Sequence, residues 1–361
     1  TIPSGAFNEN QVCLIGNGVI VDPKYLTEEL QRLKDAGVML PVERLKISEL
    51  AHITLPYHLD IYRYKGFRPK AIGSASRGIG PTLIDKVSRI GIRMRDFINP
   101  GVFKKLLQEN LEQKNREYLR LYGDEGFEPF DLDEIYQEYL QYADILRPYV
   151  MDTAVYLSQA LSQGRRVVIE GAQATGLDID FGAYPYITTS STTAVSLSAG
   201  AGIPLSKVNK VVGVMGAYNI KVREGPHPTR IHDEKLAGHL RERGNEYNKL
   251  YPEIKRNIGW LDIPLARYSI MVNGINEISL TKLDVLDELE TIKICVGYKY
   301  KDRVYNVYTS DLDVLYHSEP IYEELPGWQE DTTGVSSFDA LPENARKFVQ
   351  RIEELLTIPI V

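Results

Sequence analysis

Short apolar runs alternating with longer amphipathic stretches are the first pattern along this chain of 361 residues. Residues 12–15 and 19–21 read as short buried strands, parted by a turn at Gly16-Asn17-Gly18. Asp22-Pro23 predicts the start of a helix reaching about 36–37, with the aspartate as cap and the proline at the first helical position. Another strand-like piece covers 53–55. The spacing of Leu106, Leu107, Leu111 and Leu119 predicts a helix over 103–121. Residues 132–161 read as a helix or helical pair that Pro148 interrupts. Val167-Val168-Ile169, just before Glu170-Gly171, has the apolar continuity of a buried parallel strand, as do 211–214, 277–280 and 292–296. Strands alternating with helices predict an α/β fold with a central, mostly parallel sheet flanked by helices. A helical subdomain is expected at about 95–163, inside one domain spanning 1–361. No repeat and no linker rich in Pro, Gly or Ser divides the chain.

Composition narrows the function classes. With 43% hydrophobic and 25% charged residues the chain is an ordinary globular protein. A net charge of −7 excludes a surface built to hold a polyanion, so no nucleic-acid partner is expected, while a local basic site for a small phosphorylated molecule stays open. Two cysteines, Cys13 and Cys295, cannot make a disulfide framework or a four-thiolate zinc site, which fits a reducing cytoplasmic location. No apolar run is long enough to span a bilayer, and no signal peptide is visible.

In α/β sheets ligands bind beyond the carboxyl ends of strands, so segments following strands carry the chemistry. Gly73-Ser74-Ala75-Ser76-Arg77-Gly78-Ile79-Gly80-Pro81 is a tight loop of small residues whose N–H groups and hydroxyls suit a phosphate. A glycine turn before a solvated helix explains it equally well. Arg89 and Arg93, four apart, are expected on one helix face. Gln173, in Glu170-Gly171-Ala172-Gln173, is a neutral donor and acceptor suited to the carbonyl and ring N–H of a base. Asp178 and Asp180 read as turn or strand-edge residues rather than metal ligands. The hydroxyl run Thr188-Thr189-Ser190-Ser191-Thr192-Thr193 is longer than a helix cap needs and suggests phosphate recognition near a helix start. His227, between Pro226 and Pro228, reads as structural more readily than catalytic. Thr281-Lys282-Leu283-Asp284 has the spacing of a guanine-reading turn, in which the carboxylate accepts from N1–H and the 2-amino group and the lysine stem covers the ring. Gly123-Asp124-Glu125-Gly126 mimics part of a phosphate loop but lacks the lysine and a preceding strand, so it reads as a surface turn.

Taken together and in order, these segments resemble the adenylosuccinate synthetase family, as do Ile2-Pro3-Ser4-Gly5, Gly225-Pro226-His227-Pro228-Thr229, Gly259-Trp260-Leu261-Asp262, Thr281-Lys282-Leu283-Asp284-Val285-Leu286-Asp287 and Leu341-Pro342-Glu343-Asn344-Ala345. The resemblance implies a GTP- and Mg²⁺-dependent ligase of purine (AMP) biosynthesis. Such an enzyme joins IMP to L-aspartate through a 6-phosphoryl-IMP intermediate and releases adenylosuccinate, GDP and phosphate. It further implies a homodimer in which Arg89 reaches the IMP phosphate of the neighbouring subunit. By position, Arg77 resembles the arginine that meets aspartate or product, Gln173 the contact to the base, and Thr188 the contact to the IMP phosphate. Val222 resembles a residue of the ribose pocket, Arg256 an arginine at the aspartate and nucleotide junction, and Lys282 with Asp284 the guanine-recognition pair.

Departures from the pattern generate alternatives. The family's Gly-Asp-Glu-Gly-Lys-Gly-Lys loop with its catalytic aspartate, and the histidine acid that follows, would precede Thr1. A Ser-Thr-Gly-Pro segment would follow Val361. A chain trimmed at both ends is the expectation, and a non-catalytic purine-nucleotide-binding homologue is the alternative. No metal ligand is assigned within 1–361, and Gln173 is the one residue within it given a catalytic role. Ala75 replaces a threonine that contacts IMP, with Ser74 or Ser76 as substitutes. Residues 250–257 hold fewer arginines than the family's aspartate loop and gain Glu253, which disfavours a dianion and suggests a diverged ligase using another amine or purine nucleotide.

Overall fold

The computed structural model describes residues 2–64, 77–222, 224–247 and 255–361. The chain divides into two compact units, Thr1–Ala172 with Val195–Val208, and Gln173–Ala194 with Asn209–Val361.

The first unit is organised by a three-stranded parallel sheet in the order Cys13–Ile15, Leu45–Ser48, Val150–Met151. A second parallel pair joins Ile20–Val21 to His52–Ile53. Helices open on side-chain caps, Asp22 as the sequence predicts and three more that it did not mark. Asp22 accepts from the Tyr25 N–H at 3.1 Å and opens Pro23–Asp35. Asn99 caps Pro100–Tyr122, Asp131 caps Leu132–Leu146, and Asp152 caps Thr153–Ser162. The expected interruption falls at Arg147–Tyr149, a 3-10 turn containing Pro148. Ile47, Ile53, Tyr57, Phe97, Phe103, Leu107 and Leu146 form one core between these helices and strands. The Gly16-Asn17-Gly18 turn forms as expected and also meets the helix Ala194–Ala201. Gly18 N–H donates to the Gly200 carbonyl at 2.8 Å, and a Cβ at Gly18 would lie 2.6 Å from Gly200 Cα. The Gly123-Asp124-Glu125-Gly126 segment is a single 3-10 turn ended by left-handed Gly126.

In the second unit Val212–Gly216 pairs parallel with Glu277–Thr281. Thr291–Tyr300 departs from expectation. It touches Leu261–Asp262 in parallel but is mainly the centre of an antiparallel sheet with Arg303–Tyr305 and Glu319–Pro326. An apolar run reports burial on both faces, not the direction of its neighbours. Asn219–Lys221 and Asn257–Gly259 form a further antiparallel pair. Helices Ile263–Asn273 and Glu343–Leu356 close this core. The latter buries Ala345, Phe348, Val349, Ile352 and Leu356 at helical spacing.

Two further expectations are overturned. Val167-Val168-Ile169 is not a strand, and Val168 is 91% exposed. Apolar sequence makes a strand only where another backbone supplies the ladder, and no described strand pairs with it. Arg89 and Arg93 do not share a helix face. The helix Ile79–Ser88 ends at Arg89, which is left-handed at φ 64°, and Arg93 caps the next helix, Met94–Phe97. A single left-handed residue breaks the i, i+4 relation.

Candidate functional site

In the first unit, Ser74 and Ser76 lie outside the described residues. Arg77 stacks its guanidinium over the Tyr25 ring at 4.9 Å. Gly78 is left-handed at φ 74°, and a Cβ there would meet Thr54 Cγ2 at 2.6 Å, so both conformation and space require glycine. The Gly78 carbonyl accepts from the Thr82 N–H at 2.9 Å and the Thr82 hydroxyl at 2.8 Å, starting the helix Ile79–Ser88. That helix is fixed from beneath by a buried charge network. Asp85 Oδ1 accepts from Lys114 Nζ at 2.6 Å, and Asp85 Oδ2 meets His58 Nε2 at 2.9 Å. His58 Nδ1 accepts from the Leu55 N–H at 3.0 Å, which assigns the ring proton to Nε2. Burial pushes Asp85 up, yet the bonds from His58 and Lys114 outweigh it and hold the carboxyl below its usual range. Burial pulls His58 down, so it stays neutral. Arg89 is exposed at the far end of this helix.

In the second unit, Gln173 is exposed and left-handed at φ 71°, and no described residue hydrogen-bonds its carboxamide. A strained, unoccupied amide of this kind is a feature of ligand-contacting positions. Asp178 ties the following loop together. Its carboxylate accepts from the Asp180 N–H at 2.9 Å, the Ser191 hydroxyl at 2.9 Å and the Thr192 N–H at 2.5 Å. Burial raises the Asp178 carboxyl, but these donors more than offset that and lower it. Thr188 is half-buried within this loop and donates its N–H to the Leu177 carbonyl at 2.8 Å. Part of the hydroxyl run thus has a structural task. Ser191 and Thr192 serve Asp178, so phosphate recognition does not account for all six hydroxyls.

Val222 is 39% exposed just past Asn219–Lys221. His227 packs where a Gly259 side chain would be, with its Nε2 2.4 Å from that ideal Cβ. Burial first, then the charges of Lys221, Arg230 and His232, push it down to about 3, so it is neutral, and both its ring nitrogens are buried without a partner among the described residues.

The Thr281-Lys282-Leu283-Asp284 segment leaves the carboxyl end of the parallel strand Glu277–Thr281. Lys282 is left-handed at φ 63°, and a 3-10 turn, Leu283–Leu286, follows. The Asp284 side chain is half-buried and no described residue hydrogen-bonds its carboxylate. Asp287 is committed elsewhere. It accepts from Trp328 Nε1 at 2.7 Å and from the Thr332 N–H at 3.0 Å, pinning the turn to a distant loop. Lys282 Nζ donates to Glu246 Oε1 and, at 2.8 Å, to the Gly244 carbonyl. Arg256 Nη1 donates to Glu246 Oε2 at 2.6 Å. Glu246 itself was not anticipated. It lies in Gly244-Asn245-Glu246-Tyr247, where nothing in local spacing marks it. Its one signal is position, immediately before the divergent 250–257 stretch. Residues 250–254 of that stretch, with 248 and 249 before them, lie outside the described residues, as does Arg223. Among the described residues no three His, Cys, Asp or Glu side chains gather as metal ligands. A cleft lined by Ser158, Leu161 and Lys207 contains none of the candidate residues.

Parallel strands flanked by helices, with a left-handed turn at a strand's carboxyl end, define an α/β protein of the class that binds ligands beyond strand ends. The family model for adenylosuccinate synthetase matches residues 1–361. The adenylosuccinate synthetase of Geobacillus sp. (strain WCH70) is 46% identical over 361 residues, covering 99% of this chain and 83% of the relative. That of Caldanaerobacter subterraneus is 45% identical over 359 residues, covering 99% and 83%. The fully ligated adenylosuccinate synthetase structure from Plasmodium falciparum superposes with a TM-score of 0.91 at 36% identity, covering 100% of this chain and 84% of that one. The chain belongs to the adenylosuccinate synthetase family. It is a ligase that forms a C–N bond, joining IMP and L-aspartate with GTP in purine biosynthesis.

Proposed function

We propose that Lys282 and Asp284 hold the guanine of GTP in this ligase. The observation that carries the reading is the left-handed Lys282 turn at the end of Glu277–Thr281, which leaves the Asp284 carboxylate without a partner among the described residues. A carboxylate accepts from guanine N1–H and the 2-amino group together, and the lysine stem lies over the ring. Gln173 is placed at the hypoxanthine of IMP, its amide donating to the 6-oxygen and its carbonyl accepting from N1–H. Transfer of the γ-phosphoryl of GTP to that oxygen, with loss of the N1 proton and release of GDP, converts it into a leaving group, and the amine of aspartate displaces it as phosphate departs and the amine gives up a proton. Holding the base in one orientation is what a neutral amide contributes to such a step. Thr188 takes the IMP phosphate, Val222 the ribose, and Arg77 and Arg256 the aspartate side. Arg89 reaches the IMP phosphate of a second subunit in a cytoplasmic homodimer. The exposed position of Arg89 supports that role. Mg²⁺ would travel with the GTP phosphates.

The test is Asp284→Asn. An amide offers its N–H₂ where guanine also has a donor, and loses the charged bonds, each of about 1.5–3 kcal/mol. The KM for GTP should rise by more than ten-fold. XTP, which carries a carbonyl in place of the 2-amino group, should become a better donor than for the parent. Unchanged GTP kinetics would remove Asp284 from the guanine site.

A further inference from the structure

Glu246 is fully buried, with no exposed side-chain surface, and it carries two cations on one carboxylate. Lys282 Nζ and the Tyr218 hydroxyl, the latter at 2.9 Å, both donate to Oε1, and Arg256 Nη1 donates to Oε2 at 2.6 Å. Burial raises this carboxyl, but the bonds from Lys282, Tyr218 and Arg256 together lower it, so it is an anion at neutral pH. Two pairs of residues flank the 248–254 stretch, and both are tied. Tyr247 and Lys255 form an antiparallel bridge, and Glu246 with Arg256 closes the same neck by charge.

We infer that Glu246 is a positioning residue that holds the guanine-side lysine and the aspartate-side arginine on one buried carboxylate, coupling the two subsites. The inference rests on the proposed roles of Lys282 and Arg256.

Three observations carry it. Lys282 is held in a left-handed conformation that a non-glycine residue adopts at a cost, and such a conformation persists where surroundings over-determine it. The Glu246 and Gly244 acceptors fix its ammonium at two points, so what remains to meet a flat base is the aliphatic stem. Arg256 spends Nη1 on Glu246, and its buried Nε has no partner among the described residues, while the side chain as a whole stays 30% exposed, so its outer guanidinium edge can meet a ligand. Without the carboxylate the two cations would repel each other, and both long side chains would regain rotamer freedom. The loss would therefore appear at both subsites at once, which no contact confined to one subsite produces.

The experiment is steady-state kinetics on the full-length natural protein carrying Glu246→Gln, which keeps the shape and the Tyr218 bond but removes the charge. The KM values for GTP and for aspartate should each rise about ten-fold or more, as for a lost charged bond. The KM for IMP should stay within about two-fold, a change below the scale of any lost hydrogen bond. Glu246→Asp, which keeps the charge, should recover part of both losses. Lys282→Ala should cost less in the Glu246→Gln background than in the parent, because the partner is already gone. A merely structural carboxylate would lower thermal stability and the active fraction and leave the two KM values unchanged, and that result overturns the inference. So does an equal rise in all three KM values. If Lys282→Ala alone leaves the GTP KM unchanged, or Arg256→Ala alone leaves the aspartate KM unchanged, the site reading has failed, and the inference falls with its premise. Should Glu246→Gln not fold, Tyr218→Phe removes one neutral bond to the same carboxylate and should raise the same two KM values about five-fold. No change in either would again overturn the proposal.

Discussion

Asp262 caps the helix Ile263–Asn273, accepting from the Leu265 N–H at 3.0 Å and from the Tyr298 hydroxyl on the same oxygen. Burial raises its carboxyl to about 6, against the opposing pull of those two donors. A carboxyl raised in the folded state contributes stability below its unfolded value near 4 and loses that contribution as pH rises through about 6. Asn keeps the cap without the ionisation. Asp262→Asn should therefore already be relatively stabilising at pH 5 and become more so by pH 7.5, the gap widening by about 1.4 kcal/mol for the one unit between pH 5 and the folded value of about 6. Urea denaturation of both proteins across that range measures it, and a gap independent of pH would contradict it. At this scale the sequence exposed the residues whose roles are local. The Asp22 cap and the turn at Lys282 and Asp284 were legible because each depends on neighbours a few positions away. Glu246 was not, since its partners stand 10, 28 and 36 positions from it.

The helix Ile79–Ser88 shows how an element is positioned. Arg77 and the Gly78 N-cap lead into it, Arg89 ends it, and Asp85 anchors it to Lys114 and His58. Removing one member of a buried charge network leaves the others uncompensated, at a cost of about 3–5 kcal/mol. Asp85→Ala should lose that much by denaturant unfolding, and Lys114→Met in the same chain should return part of it. If the double variant is less stable than Asp85→Ala alone, Lys114 is not the group left stranded. Elements whose patterns are self-contained were readable: Pro23–Asp35, Pro100–Tyr122, Val212–Gly216 and Glu277–Thr281 all lie where spacing and caps put them. Val167-Val168-Ile169 was not, because a strand is a property of two backbones.

For the molecule as a whole, the proposed dimer makes a prediction about mixtures. If Arg89 acts on the neighbouring subunit's IMP, Arg89→Ala and Gln173→Ala proteins are each inactive alone, and a mixture recovers activity. A mixed dimer keeps one intact set of residues. Activity measured after mixing and re-equilibration decides it, and no recovery would place Arg89 in its own subunit's chemistry or outside it. The sequence by itself determined the α/β class, the caps and turns, and the order of motifs that carry the family. Each of these is written in contiguous residues. Tertiary structure alone decided the antiparallel surroundings of Thr291–Tyr300, the separation of Arg89 from Arg93, and the commitment of Ser191 and Thr192 to Asp178. It also decided the meeting of Lys282 and Arg256 on Glu246. Strand direction, chain reversal and charge pairing depend on which distant segments come together, and hydrophobic pattern reports only that a residue is buried, not what it is buried against.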